Sequence, residues 1–397
     1  MKTKYIFLFL LGIDATVLLL ETSGLSISYH EASMLYGHFS FLQAIEHLSF
    51  SIFSQNDFAL RLPMIMFHLA SCIVLFAISK KYLRSQRDRL WLMLIFILLP
   101  GVTSSAILVD SASFLIFGLL LFVYLYEKIQ KRYIYVLLFL YMLIDGTFLY
   151  LFFSLIFFSI YKKERYFFIF NLVMFSCSML LYGINTEGLP EGHFLDAIGI
   201  YSAIFTPIIF IYIFYILYRR YLTKEMDVLW FISSVTLLVS LLLSFRQRID
   251  IEHFAPYLII ALPLAAQTFS SSYRVRLKIF RTKYRIAFII SLVFLFLNSF
   301  LVLLNKNIYL ILDDPQKHFA YKMHIAKELS QKLKNRGLNC VDTKKHMQTR
   351  LRFYGISKCK TNLLSPCSKN TIKENNVTIS YKNKPIYNSC VTIINSK

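Results

Sequence analysis

"NDFALRLPMIMFHLASCIVLFAISKKYL", residues 56–83, decides what kind of protein this is. Charge marks its ends, at Asp57 and Arg61 and again at Lys80 and Lys81, and the residues between are apolar or weakly polar. About 20 such residues cross the hydrocarbon of a bilayer as a helix, which satisfies its own backbone there. Similar runs recur at roughly 5–21, 60–79, 90–104, 111–126, 133–144, 147–161, 166–183, 199–218, 228–245, 253–269 and 286–304. The expectation is a polytopic all-α membrane protein of about eleven transmembrane helices. The first run reads as a retained span rather than a cleaved signal, because no clear small-residue cleavage site follows it.

The composition agrees. Of 397 residues, 57% are hydrophobic and 17% aromatic, which excludes a soluble globular function for most of the chain. A net charge of +21 would suggest nucleic acid in a soluble protein. Its distribution argues against a nucleic-acid partner. The basic clusters "MKTK", "KKYLRSQRDR", "EKIQKR", "YKKER", "YRRYLTKE" and "YRVRLKIFRTKYR" fall in alternate loops. Up to residue 305, the opposite loops carry only Arg61, Arg246 and Arg248 as Lys or Arg. The positive-inside rule then sets the N-terminus in the cytoplasm, and an odd number of spans sets the tail from Lys306 outside the membrane. The parity depends on a break at "DGT", residues 145–147, between two short spans.

Two domains are expected: a multi-pass domain over 1–305, with interfacial loop helices at 26–58, and a soluble domain over 306–397. In "FSFLQAIEHLSFSIF", residues 39–53, Phe41, Leu42, Ile45, Leu48 and Ile52 recur at helical spacing, as in a helix lying in the outer interface. In the tail, residues 313–337 and 344–355 read as helices ended by Gly337 and Gly355. "LNCVDT", "NVTISY" and "NSCVTIINS" read as strands, giving a small α/β or α+β domain. Cys72 and Cys177 lie in spans and read as apolar filler, whereas Cys340, Cys359, Cys367 and Cys390 gather in the tail. Four cysteines in an exported domain read as two disulfides. Three connectivities are open; Cys359–Cys367 with Cys340–Cys390 is the expectation.

The polar gap "SISYHEASMLYGHF", residues 26–39, holds Glu31 between two spans. Ser28 and Glu31 match the capping box S-x-x-E, so Glu31 starts a helix, carries chemistry at the membrane surface, or does both. Asp110 is an N-cap or a catalytic carboxylate. Asp14, inside the first span, must face protein or water. Arg61, Arg246, Arg248 and His253 stand at span entrances, where cations either bind lipid phosphate or snorkel. His30, His38, His47 and His253 have no metal-ligand spacing. The segment Glu374 to Thr378 resembles an extended bacterial N-glycosylation sequon, with Asn376 as its acceptor.

The order of these pieces resembles the GT-C superfamily of membrane glycosyltransferases, above all the branch of dolichyl-phosphate-mannose protein mannosyltransferases and lipid A aminoarabinose transferases. His30-Glu31 stands where that family has Asp-Glu after its first span. The 39–53 stretch, "LRLP" at 60–63, and Asp110 in "PGVTSSAILVDSASFLIFGLLLF" follow in the family's order. "EHFAPYLIIALPLAA" is similar to its late "RY…P…P" element, with His253-Phe254 in the Arg-Tyr place, and "RLRFYG" resembles segments of its outer domains. Three departures stand out: His30 for Asp, the absence of a His-Pro-Pro or Lys-Pro element, and Asp145-Gly146 for Lys-Gly.

The resemblance implies a glycosyltransferase that moves a sugar from a polyprenyl-phosphate donor to a periplasmic lipid, glycan or protein acceptor, lipid A among them. Glu31, His30 or Asp110 would act on the acceptor, and Arg61, Arg246, Arg248 and His253 would hold the phosphate. The resemblance allows Mg²⁺ or Mn²⁺ without requiring a metal, and the sequence shows no complete site. The departures leave two alternatives open: a non-catalytic scaffold in envelope-glycan assembly, and a transporter of a lipid or small solute.

Overall fold

The computed structural model describes residues 2–37, 39–183, 192–367 and 376–393; His38, part of the 184–198 loop, and Glu374 and Asn375 of the sequon lie outside them. The chain divides into two compact units: Met1–Leu18 with Met64–Ser299, and Leu19–Pro63 with Phe300–Lys397. Residues 19–63, expected within a 1–305 membrane domain, thus group with the C-terminal segment.

The first unit is helical. Every apolar run named above forms helix, but length separates them. Among the described residues six helices are long and apolar enough to cross a membrane: Thr3–Gly24, Asp57–Tyr82, Ser111–Lys128, Arg165–Tyr182, Ile251–Val275 and Lys278–Leu303. Two broken pairs raise the number to as many as eight: Gln86–Leu98 with Pro100–Ile107, bent by 60°, and Phe194–Phe205 with Pro207–Leu222, bent by 106°. Each break precedes a proline, which cannot donate to the preceding turn and clashes with it. The expected eleven crossings are therefore not confirmed. Lys131–Ile144 and Leu149–Lys162 have 14 residues each. Each rises only ~21 Å, against ~30 Å of hydrocarbon. The break at "DGT" is present: Asp145 caps a 3-10 turn, Gly146–Phe148, by accepting from Thr147 N at 2.8 Å.

The Ser111–Lys128 helix lies at the core of this unit, with Leu115, Leu119, Phe122 and Val123 fully buried. Gly118 has no side chain because a Cβ there would lie 2.8 Å from the Phe148 ring, and its carbonyl accepts from the Tyr141 hydroxyl at 2.7 Å. The Tyr257 hydroxyl donates to Thr147 O at 2.7 Å, joining the Ile251–Ile259 helix to the DGT break. By contrast Ile289, Val293, Phe296 and Leu297 of the last long helix are exposed, an arrangement suited to lipid and not to water.

The second unit combines the first-loop helices with the C-terminal segment. We label Lys2–Gly24 α1, Tyr29–Leu35 α2, Phe41–Phe53 α3 and Asp57–Tyr82 α4; α1 and α4 each run through both units. The C-terminal part holds helices Ala326–Asn335 and Lys345–Phe353 and strands β1 (Asn362–Ser365), β2 (Asn376–Tyr381) and β3 (Lys384–Ile393). The sheet is antiparallel in the order β1-β3-β2. β2 and β3 meet in a two-residue turn in which Lys382 and Asn383 have φ of 45° and 70°. Left-handed residues at both central positions match strand twist in such hairpins. Gly337 and Gly355, at φ +76° and +79°, follow the two helices where the sequence places their ends, but the first helix is only Ala326–Asn335, and the expected helical stretch before it forms the 3-10 turns Pro315–Lys317 and Tyr321–Met323.

Leu329, Leu333, Val341, Leu351, Ile356, Val377, Ile379 and Val391 form the core of this α+β fold. "LNCVDT" is corrected: it makes only isolated bridges, Cys340 to Ser357 and Asp342 to Leu363. The disulfides are also corrected. They join Cys340 to Cys359 and Cys367 to Cys390, with Cα separations of 5.5 and 4.9 Å. Strand register is the reason. Cys340 pairs with Ser357, which brings Cys359 beside it, and Ser365 pairs with Cys390, which brings Cys367 into reach.

Candidate functional site

The second unit gathers acids and bases where the sequence after the first apolar run meets the entrance to the second. The capping box is formed. Ser28 Oγ accepts from Glu31 N at 3.1 Å, and Glu31 Oε2 accepts from Ser28 N at 2.7 Å. This leaves Glu31 2% exposed, 3.6 Å from the Arg61 guanidinium. Its neighbour His30 faces outward.

Arg61 is the centre of the cluster. It is fully buried and donates to Ser26 O at 3.1 Å and Leu25 O at 3.5 Å, with Asp57 3.9 Å away one turn earlier. A buried guanidinium needs such compensation, and its five donors allow it to serve carboxylates and carbonyls together. Arg61 therefore organises the turn; it is not at the surface to grip a phosphate.

Asp57 carries the cluster to the surface. Its Oδ1 accepts from the Tyr354 hydroxyl at 2.6 Å and its Oδ2 pairs with Lys327 Nζ at 2.9 Å. Tyr354 also accepts from Ile27 N at 3.0 Å. Burial and then the Asp57 charge push the Tyr354 phenol well above its ordinary pKa, so it stays a donor. The Lys345–Phe353 helix packs on α2, with the rings of Tyr29 and His346 edge to face at 4.1 Å. Beside Asp57 lies an open pocket of ≈ 530 Å³ lined by Asn56, Asp57, Lys327, Lys334, Phe353 and Tyr354.

Helix α3 backs the cluster. It turns Glu46 and Ser49 inward beside Leu42 and leaves Leu48 and Ile52 63% and 66% exposed, so that an apolar face is left outward, as expected at a bilayer interface. Glu46 is fully buried, and neither carboxyl oxygen has a hydrogen-bond partner among the described residues. Burial, with a smaller push from Glu31, raises its pKa to about 9, while Arg61 opposes the shift.

The other sequence candidates lie in the first unit. Asp110 is 8% exposed and caps the Ser111–Lys128 helix, its Oδ1 accepting from Ala112 N at 2.8 Å. Arg246 and Arg248 are exposed, His253 is half-buried, and the helix bearing His253 packs against the helix that Asp110 caps. Sequence reasoning missed Asp57, Lys327 and Tyr354. Two signals were there: Asp57 precedes Arg61 by one helical turn, and Tyr354 belongs to "RLRFYG". Comparison with protein-family models and with curated proteins finds no match.

Proposed function

We propose that this chain is an inner-membrane glycosyltransferase of the GT-C type, moving a sugar from a polyprenyl-phosphate donor to an acceptor on the periplasmic side. The observation that carries this reading is the Glu31–Arg61–Asp57–Lys327 cluster beside an open pocket of ≈ 530 Å³. That size suits a sugar-phosphate head group. Asp57 is the carboxylate that lines the pocket, and after pairing with Tyr354 and Lys327 it still has lone pairs for an acceptor hydroxyl. In the proposed step Asp57 takes the hydroxyl proton as the acceptor oxygen bonds to the sugar's anomeric carbon. The bond from that carbon to phosphate oxygen breaks, and polyprenyl phosphate leaves. Lys327 and Lys334 offset the phosphate charge. Glu31 acts at one remove by holding Arg61. Because Glu31 and Asp57 already face Arg61 and Lys327, they do not make the oxygen cage that Mg²⁺ or Mn²⁺ requires. The tail disulfides and the alternation of basic loops support the periplasmic placement.

A specific observation favours a second reading, the non-catalytic scaffold: the family-position carboxylate Glu31 is spent on a helix cap and an ion pair. Mass spectrometry of surface glycans separates the two. Wild-type cells, a deletion strain, and the deletion complemented with Asp57→Asn or Lys327→Ala are compared at matched membrane levels. The transferase reading expects one sugar to be missing from the deletion and from both variants. Full rescue by both variants selects the scaffold, and unchanged glycans in the deletion overturn both.

A further inference from the structure

Away from this cluster, three metal-ligating side chains converge inside the first unit. Asp14 of α1 and His68 and Cys72 of α4 are 9%, 3% and 0% exposed. His68 Nε2 lies 2.7 Å from Asp14 Oδ2 and 3.8 Å from Cys72 Sγ, and the three ligand atoms all lie within 4.8 Å of one another. His68 and Cys72 are one turn apart, which sets them on one helix face as a ready pair of ligands. The Phe96 ring stacks on His68 at 5.9 Å and 5°, restricting the imidazole. Both helices are long and apolar enough to cross a membrane, so each polar group here is costly without a partner.

We propose that Asp14, His68 and Cys72 bind a divalent, thiophilic d-block cation of the Zn²⁺ class, clipping α1 to α4. The donor set selects the ion. A carboxylate, an imidazole and a thiolate suit Zn²⁺, whereas Mg²⁺ and Ca²⁺ take oxygen ligands. Charge selects it as well. One carboxylate, one thiolate and a neutral imidazole sum to −2, so a divalent ion leaves the buried site neutral, and a monovalent ion such as Cu(I) leaves a buried negative charge. Ligation requires Cys72 as its thiolate. Three protein ligands leave a fourth position of the tetrahedron for water or another donor. A mechanical need is also present. Most of α1 faces outward; Phe7, stacked on Phe76 at 4.3 Å, and Asp14 are among its few inward contacts.

The test uses full-length protein in detergent, stripped with chelator and titrated with Co²⁺ as a coloured stand-in for Zn²⁺. The expected result is one Co²⁺ per chain, visible bands of a tetrahedral site, and a thiolate-to-cobalt charge-transfer band that Zn²⁺ abolishes. Cys72→Ala removes the charge-transfer band, and His68→Asn weakens binding by at least about tenfold. Cys177→Ala, which changes the other free cysteine, keeps the full spectrum. Each variant's elution profile and helical circular dichroism are recorded beside it. Wild-type protein without the charge-transfer band, or a folded Cys72→Ala variant that retains it, overturns the site.

Discussion

Glu46 is a carboxylic acid in a place that disfavours its charge: fully buried, near Glu31, and without a hydrogen-bond partner among the described residues. Burial raises its folded pKa from 4.5 to about 9. Such a group contributes stability that is fully present below the unfolded value and is lost as pH rises through the folded one. Holding it neutral at pH 7 costs roughly 3 kcal/mol. Glu46→Gln is therefore expected to melt higher than wild type at pH 8, and to lose the fall in melting temperature that wild type shows between pH 5 and 9. Thermal melts across that range in one detergent check this; parallel pH curves would refute it. Arg61 presents the opposite case, a buried cation with Glu31 at 3.6 Å and Asp57 at 3.9 Å. Removing one side of a buried pair leaves the other uncompensated, at a cost of about 3–5 kcal/mol. Arg61→Met should lower stability by that order, and adding Glu31→Gln should recover part of the loss. A double variant no better than the sum of the single ones would show that the two charges are not coupled.

Elements show where sequence reading succeeds and where it stops. The apolar runs were legible because period and length are local properties, and so were Ser28–Glu31 as a capping box and Gly355 as a helix end. The break at Asp145-Gly146 was legible for the same reason. Cysteine pairing was not, because it depends on the register between β1 and β3 and on the bridge from Cys340 to Ser357, which no spacing encodes. Nor was the Asp57–Tyr354 contact, whose partners lie far apart in the chain. Cys72 read as filler because its neighbour Asp14 comes from another helix. Peptide mapping of non-reduced protein should link the Cys340 peptide to the Cys359 peptide and the Cys367 peptide to the Cys390 peptide. A Cys359–Cys367 link would contradict the register. Each bond closes a loop of about twenty residues, for which ~3 kcal/mol is typical. Cys340→Ala with Cys359→Ala should accordingly speed proteolysis of the tail more than a substitution on the exposed face of β2.

For the whole molecule, the question left by helix length is parity. Six long helices and two bent pairs make an even number if each bent pair crosses, whereas the basic loops favour an odd one. Charge and sulfur chemistry bear on this together. Lys2, Lys4, Lys80, Lys81, Arg219 and Arg220 lie at helix ends that border alternate loops and favour the cytoplasm, while two disulfides after residue 339 favour an oxidising compartment. Both hold only if the chain crosses an odd number of times before Leu304. The apolar 17-residue helix Val228–Ser244 supplies the change of parity if it crosses, whereas the short helices Lys131–Ile144 and Leu149–Lys162, joined at the Asp145 cap, leave parity unchanged whether they form a shallow pair entering from one face or the bilayer thins to let each cross. Alkaline phosphatase, which folds only where disulfides form, reads this directly. A fusion after Ile393 is expected to be active, and fusions after Lys81 and after Lys131 inactive. A fusion at Asp145 distinguishes the two arrangements: activity means that Lys131–Ile144 crosses, and inactivity means that the pair re-enters. An inactive fusion after Ile393 would place the tail in the cytoplasm, contradict the disulfides, and remove the periplasmic acceptor from the proposed function.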